Sequence, residues 1–121
     1  MIECPRSAYS LASAGSRRER SSMVIVGGTF EVQGRSREQF LAERLDLMRR
    51  SRAEHGCLEY TFSADPLNPS RVLLFEIWAS REDLDAHLAA GRAAPALTTA
   101  SVTAISSAIT TYEVAETAPL G

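Results

Sequence analysis

Lysine is absent from this chain: all 13 basic residues are arginine. That removes Schiff-base chemistry and a lysine general acid or base. Histidine occurs twice, at His55 and His87, and no paired-carboxylate motif accompanies either, so the sequence offers no metal set. Cys4 and Cys57 show neither metal nor redox spacing. Cys57 reads as a small buried residue. No apolar run approaches the ~18 residues of a membrane span. Residues 1–22 lack the apolar centre of a signal peptide. A cytoplasmic protein away from membranes is therefore expected. The net charge is −2. Four arginines outnumber two glutamates in residues 1–22, so the remainder is acidic. An acidic body disfavours nucleic-acid phosphates and anionic lipid.

What is present is one domain's worth of chain, 121 residues with ordinary apolar and charged content. Residues 1–22 are rich in Ser, Ala and Arg without period, and read as a disordered extension. Met23 opens the first apolar run and is a candidate start. Residues 23–33 are β-branched and apolar, with Gly27–Gly28 marking a bulge or a close backbone approach. Ser36 precedes Gln39 by three, a capping-box spacing. Phe40, Leu41, Leu45 and Met48 then follow at helical spacing, and Gly56 supplies the stop.

Residues 57–64 form a second strand, with Leu58, Tyr60 and Phe62 alternating against Cys57, Glu59, Thr61 and Ser63. Asp65 to Pro69 is turn chemistry. A third strand, 71–79, sets Leu73, Phe75 and Ile77 opposite Val72, Leu74, Glu76 and Trp78. Ser80 caps a second helix, with Asp83 three residues on. The helix carries an apolar stripe through Leu84 and Leu88, and Pro95 fits a short extra turn. Residues 101–114 form the last strand, its alternation breaking near Ser106–Ser107. The tail from Glu116 reads as loose. The domain thus runs 23–115, in the order β-α-β-β-α-β. That is the ferredoxin-like α+β unit, an antiparallel sheet with both helices on one face. The third strand is apolar on both faces apart from Glu76. The uncovered face then needs a partner, and a second copy of the chain is the simplest one.

The residues Glu54-x-Gly56-Cys57-Leu58-x-Tyr60, Asp65-x-x-Asn68-Pro69, Glu76-x-Trp78 and His87 resemble the antibiotic biosynthesis monooxygenase family of dimeric α+β barrels. The resemblance spans about Val24 to Val114. It implies a homodimer whose subunits each hold a pocket between sheet and helices. It also implies a monooxygenase, an oxidoreductase needing no cofactor, that oxidises a quinol, anthrone or related phenolic metabolite with O2. In such chemistry the small aromatic substrate is itself the electron source, and the protein supplies orientation and proton transfer. In one respect the chain departs from relatives that oxidise anthrones or degrade haem. Those carry Asn on the first strand, whereas the single Asn here is Asn68, and Leu74 stands four residues before Trp78. Two alternatives use the same pocket: a non-catalytic ligand-binding dimer, and an isomerase or lyase acting on a small carbonyl metabolite.

The expected catalytic residues are His87, Trp78 and Glu76, with Tyr60, Phe75, Leu74 and Leu84 lining the substrate. His87 follows Leu84 by three, at the edge of the buried stripe, where an imidazole suits proton transfer. The competing reading is a boundary histidine satisfied by backbone or water. Trp78 offers a flat wall and an indole N–H, against plain core packing. Glu76 is a carboxylate inside VLLFEIW, an acid–base candidate if buried, against an ion pair with Arg71 or Arg92. His55, beside Gly56, suits a helix C-terminus.

Overall fold

A computed structural model describes residues 17–93 and 101–121. Cys4, most of the expected N-terminal extension and the turn at Pro95 lie outside the described residues. The elements are β1 (Glu19–Arg20), β2 (Val24–Glu31), α1 (Arg37–Ala42), α2 (Leu45–Arg52), β3 (Cys57–Ala64), β4 (Arg71–Trp78), α3 (Arg81–Ala93), β5 (Ser106–Glu113) and β6 (Glu116–Thr117). Four strands form one antiparallel sheet in the order β3-β4-β2-β5. That order and the single helical layer make the ferredoxin-like α+β fold expected from the pattern.

The β-branched run Val24–Val26 lies in the centre of the sheet because β2 pairs along its whole length with both β4 and β5. Its register contains no bulge. The glycines serve a close approach instead: a Cβ on Gly28 would stand 2.7 Å from the Ile109 Cα of β5. Phe40 of α1, Met48 of α2 and Leu84 of α3 all join the core cluster with Val24, Val26, Tyr60, Phe62, Val72, Leu74 and Trp78. The helices therefore cover one sheet face over β2, β3 and β4. Burying Phe40 and Trp78 completely stabilises this layer by about 1.5–3 kcal/mol each.

Several local features differ from the sequence expectation. The first predicted helix is broken at Glu43–Arg44. Arg44 N–H turns back to Leu41 O, and the Arg44 guanidinium takes the Phe40 carbonyl at 3.0 Å while lying over the Phe40 ring. Ser36 makes no capping bond, because Gly34–Ser36 form a 3-10 turn ahead of α1. A bulge between Cys57 and Glu59 resets the alternation of β3, so Cys57, opposite Trp78, joins Tyr60 and Phe62 in the core. Leu58 instead lines a cavity with Ile77. On α3 the sheet-facing line runs from Leu84 to His87, and Leu88 is 44% exposed. Finally, Glu19–Arg20 and Glu116–Thr117 pair as a two-stranded ribbon, where period-free chain and a loose tail were expected. Arg18 reaches Glu116 at 2.6 Å beside that ribbon.

Other expectations hold. Gly56 has φ +80° and ends the segment after α2, in the left-handed region that a glycine enters without cost. Ser80 Oγ accepts the Asp83 N–H at 3.2 Å and donates to Asp83 Oδ2 at 2.9 Å, which closes the N-terminus of α3. Asp65 and Asn68 each accept a backbone N–H two residues on, as turn formers do. The last strand is shorter than the expected 101–114: β5 begins only at Ser106, where the alternation breaks, and residues 101–105 lead into it without strand pairing.

Candidate active site

Four elements converge on one polar cluster beneath the helices. β4 supplies Glu76 and Trp78, two residues apart and hence on one face. The Trp78 indole folds back so that Nε1–H donates to Glu76 Oε1 at 2.8 Å. Tyr60 of β3 stands opposite Glu76 in the register. From α3, His87 lays its ring 4.7 Å from the Trp78 ring and 5.3 Å from the Tyr60 ring. Glu54, in the turn after α2, closes the set: its Oε1 lies 2.7 Å from His87 Nδ1. Leu84, one turn before His87, and Leu74, two residues before Glu76, are buried beside the cluster. The face left undecided by the sequence is thus settled: Glu76 belongs to the helix-covered side.

Phase along β4 removes one expected member. Phe75 points to the opposite sheet face and is 44% exposed, so it cannot line a site with Leu74 and Glu76. Trp78 is also changed in role. Its N–H is already bound by Glu76 and the residue is fully buried, so it is a wall with no free donor for a ligand. Neither arginine was needed for Glu76: Arg71 faces Asp65 at 3.7 Å, and Glu76 takes the indole instead. His55 stands outside, paired with Asp83 at 2.8 Å and bridging the α2–β3 turn to the start of α3.

Electrostatics separates the groups. Glu76 is 5% exposed, and burial raises its pKa. The Trp78 N–H and the nearby His87 oppose that rise, while Glu54 adds to it. Tyr60 is pushed up by burial first and by the Glu76 charge second. Ser51 pulls Tyr60 the other way, although its buried hydroxyl makes no hydrogen bond of standard geometry. Glu76 and Tyr60 are thus held toward their protonated forms beside an imidazole that is bound to a carboxylate. The His87 side chain is 11% exposed and that of Glu54 33%. These two form the rim by which the cluster meets solvent.

Sequence reasoning missed Glu54 as a site residue. Its signal was present, a carboxylate at the end of the first helical segment inside the Glu54-x-Gly56 motif, but its partner lies 33 residues away. A cavity of about 510 Å³ lies elsewhere, between the sheet's far face at Leu58 and Ile77 and the terminal segments at Met23 and Pro119. It contains no buried titratable group, so the chemistry favours the His87 cluster.

The model of the antibiotic biosynthesis monooxygenase family matches residues 23–96, which include every member of this cluster. The chain belongs to that family. A solved protein of Deinococcus radiodurans, named as a candidate antibiotic biosynthesis monooxygenase, is 28% identical, with TM-score 0.65 over 81% of this chain and 98% of its own. One of Caulobacter crescentus, named likewise, is 25% identical, with TM-score 0.61 over 78% and 91%. An uncharacterised protein of Synechocystis is 34% identical over 64 residues, 53% of this chain. The match covers 44% of that relative, so the chain spans less than half its length. Among the described residues no group of three metal-binding side chains occurs, and no helix is long and apolar enough to cross a membrane.

Proposed function

We propose that this family member is a monooxygenase that oxidises a small phenolic or anthrone-type aromatic with O2, acting as a homodimer and without a bound cofactor. The observation that carries this reading is the His87–Glu54 pair set against the Trp78 and Tyr60 rings. His87 takes the proton from the substrate's O–H or activated C–H. The resulting anion passes one electron to O2, and the two radicals join as a peroxide at carbon. Loss of water from that peroxide breaks the O–O bond and leaves the carbonyl. For a CH2 carbon the balance is CH2 + O2 → C=O + H2O, which needs no external reductant. Glu76, whose pKa is raised by burial, stands as the proton donor for the departing oxygen.

Oxygen uptake with a panel of reduced quinols and anthrones tests the reading. His87→Ala should lower turnover by ~10²-fold or more while the fold and assembly stay intact. Uptake that ignores this substitution removes His87 from the chemistry.

A second reading is favoured by the acid–base pairing itself. A Glu76 carboxyl with a raised pKa, in one cluster with the His87 base, is also suited to moving a proton along a small carbonyl compound, as an isomerase does. Turnover that persists without oxygen selects it.

A further inference from the structure

We infer that Glu54 is the positioning residue of this site: its carboxylate accepts the Nδ1–H of His87, fixes the neutral imidazole in the Nδ1–H tautomer, and leaves Nε2 bare to receive a substrate proton. An ionised carboxylate can only accept, so the atom facing it at 2.7 Å must carry the hydrogen. The hydrogen bond made by one ring nitrogen decides the state of the other.

Glu54 is placed to do this by fixed backbone. Its N–H bonds Ser51 O at 3.0 Å, and its carbonyl accepts the Cys57 N–H at 3.2 Å, so the turn is tied to α2 on one side and β3 on the other. The left-handed Gly56 lies between. The imidazole is held on its other sides by the tilted Trp78 ring and the edge-on Tyr60 ring. Nε2 therefore stands on the side of the ring away from Glu54, as a lone-pair acceptor. Such an atom takes substrates with an acidic O–H or C–H and gives no hydrogen bond to a neutral carbonyl. The tautomer itself follows from geometry alone. Its use as a proton acceptor rests on the oxygenase reading above.

Nitrogen-15 NMR of the two histidines, at a pH well above the ordinary imidazole range, decides the matter. Wild-type His87 should show a protonated Nδ1 and a bare Nε2. Glu54→Leu should remove that preference at His87 and leave His55, bonded to Asp83, as the unchanged reference. Glu54→Gln keeps the size of the side chain and should mix the tautomers, since an amide both donates and accepts. An Nε2–H signal in wild-type His87 overturns the proposal without any variant. So does an Nδ1–H pattern that survives both substitutions. Silence in the oxygen-uptake panel leaves this spectroscopic result standing, so the two failures are distinct. Where a substrate turns over, Glu54→Gln should lower kcat roughly 10-fold or more with KM little changed, and Glu54→Asp should restore part of it.

Discussion

At the scale of single residues, the buried carboxylate of Glu76 has the clearest consequence. Its pKa is raised above the ordinary 4.5, with burial as the leading cause. A raised acid binds its proton more tightly in the folded chain than in the unfolded one. Its contribution is therefore full below pH 4.5 and is lost as pH rises through the folded value. Glu76→Gln keeps an oxygen for the Trp78 N–H and removes the ionisation. Urea unfolding should show the variant gaining on wild type as pH rises from 4.5 toward neutrality. A constant difference across that range would mean that Glu76 ionises freely in the fold. The residue type at position 76 was legible as an oddity in an apolar run, whereas its partner was not. Trp78, two residues away on the same face, was expected to meet a ligand and instead meets Glu76.

At the scale of elements, two junctions hold the site's supports. Gly56 sits at φ +80°, and a Cβ there would run into the Asp83 carboxyl. Gly56→Ala should cost about 1–2 kcal/mol for the left-handed backbone alone, read as a lower urea midpoint. It should also disturb the Ser80–Asp83 cap that opens α3, the helix of His87. The second junction is Glu43, at the break between α1 and α2. Its carboxylate accepts from Gln39, from the Ser101 N–H and hydroxyl, and from the Val102 N–H. The Gln39 bond first, and then those from Ser101, hold its pKa down at about 2. The sign here is opposite to that of Glu76. Stability supplied by Glu43 is present above pH 4.5 and is lost as pH falls toward about 2. Glu43→Gln should flatten the acid limb of a melting-temperature profile; an unchanged limb would show the segment at Ser101 held by other contacts. Helix existence and the Gly56 stop were legible from spacing. The break at Arg44 was not, because it depends on a guanidinium competing for a backbone carbonyl.

At the scale of the whole molecule, the helices cover one sheet face and leave the other with Phe75 at 44% and Tyr112 at 54% exposure. Every residue of the edge strand β5 is exposed as well. An apolar face beside an open edge is the physical ground for the homodimer in our functional reading. Phe75 thus changes place, from a substrate contact in the sequence reading to a residue of the outer face. Phe75→Arg should shift sedimentation from dimer to monomer while the His87 cluster, on the other side of the sheet, stays folded. A wild-type protein that sediments as a monomer would remove the dimer from the reading.

The sequence by itself determined the order of the main elements, the ferredoxin-like fold, the turn at Asp65–Asn68 and the placing of Glu76 and Trp78 on one strand face. Each follows from periods of 2 or 3.6 residues and from local turn or capping chemistry, which act over a few positions of chain. Only tertiary structure decided that Glu54 meets His87, that Cys57 and Leu58 exchange faces at a bulge, and that Glu19–Arg20 pair with Glu116–Thr117. These depend on contacts across 33 to 98 residues, or on a single inserted residue that shifts the phase of a strand. Periodicity fixes which residues share a face, but it carries no information about which residue of another element arrives opposite them.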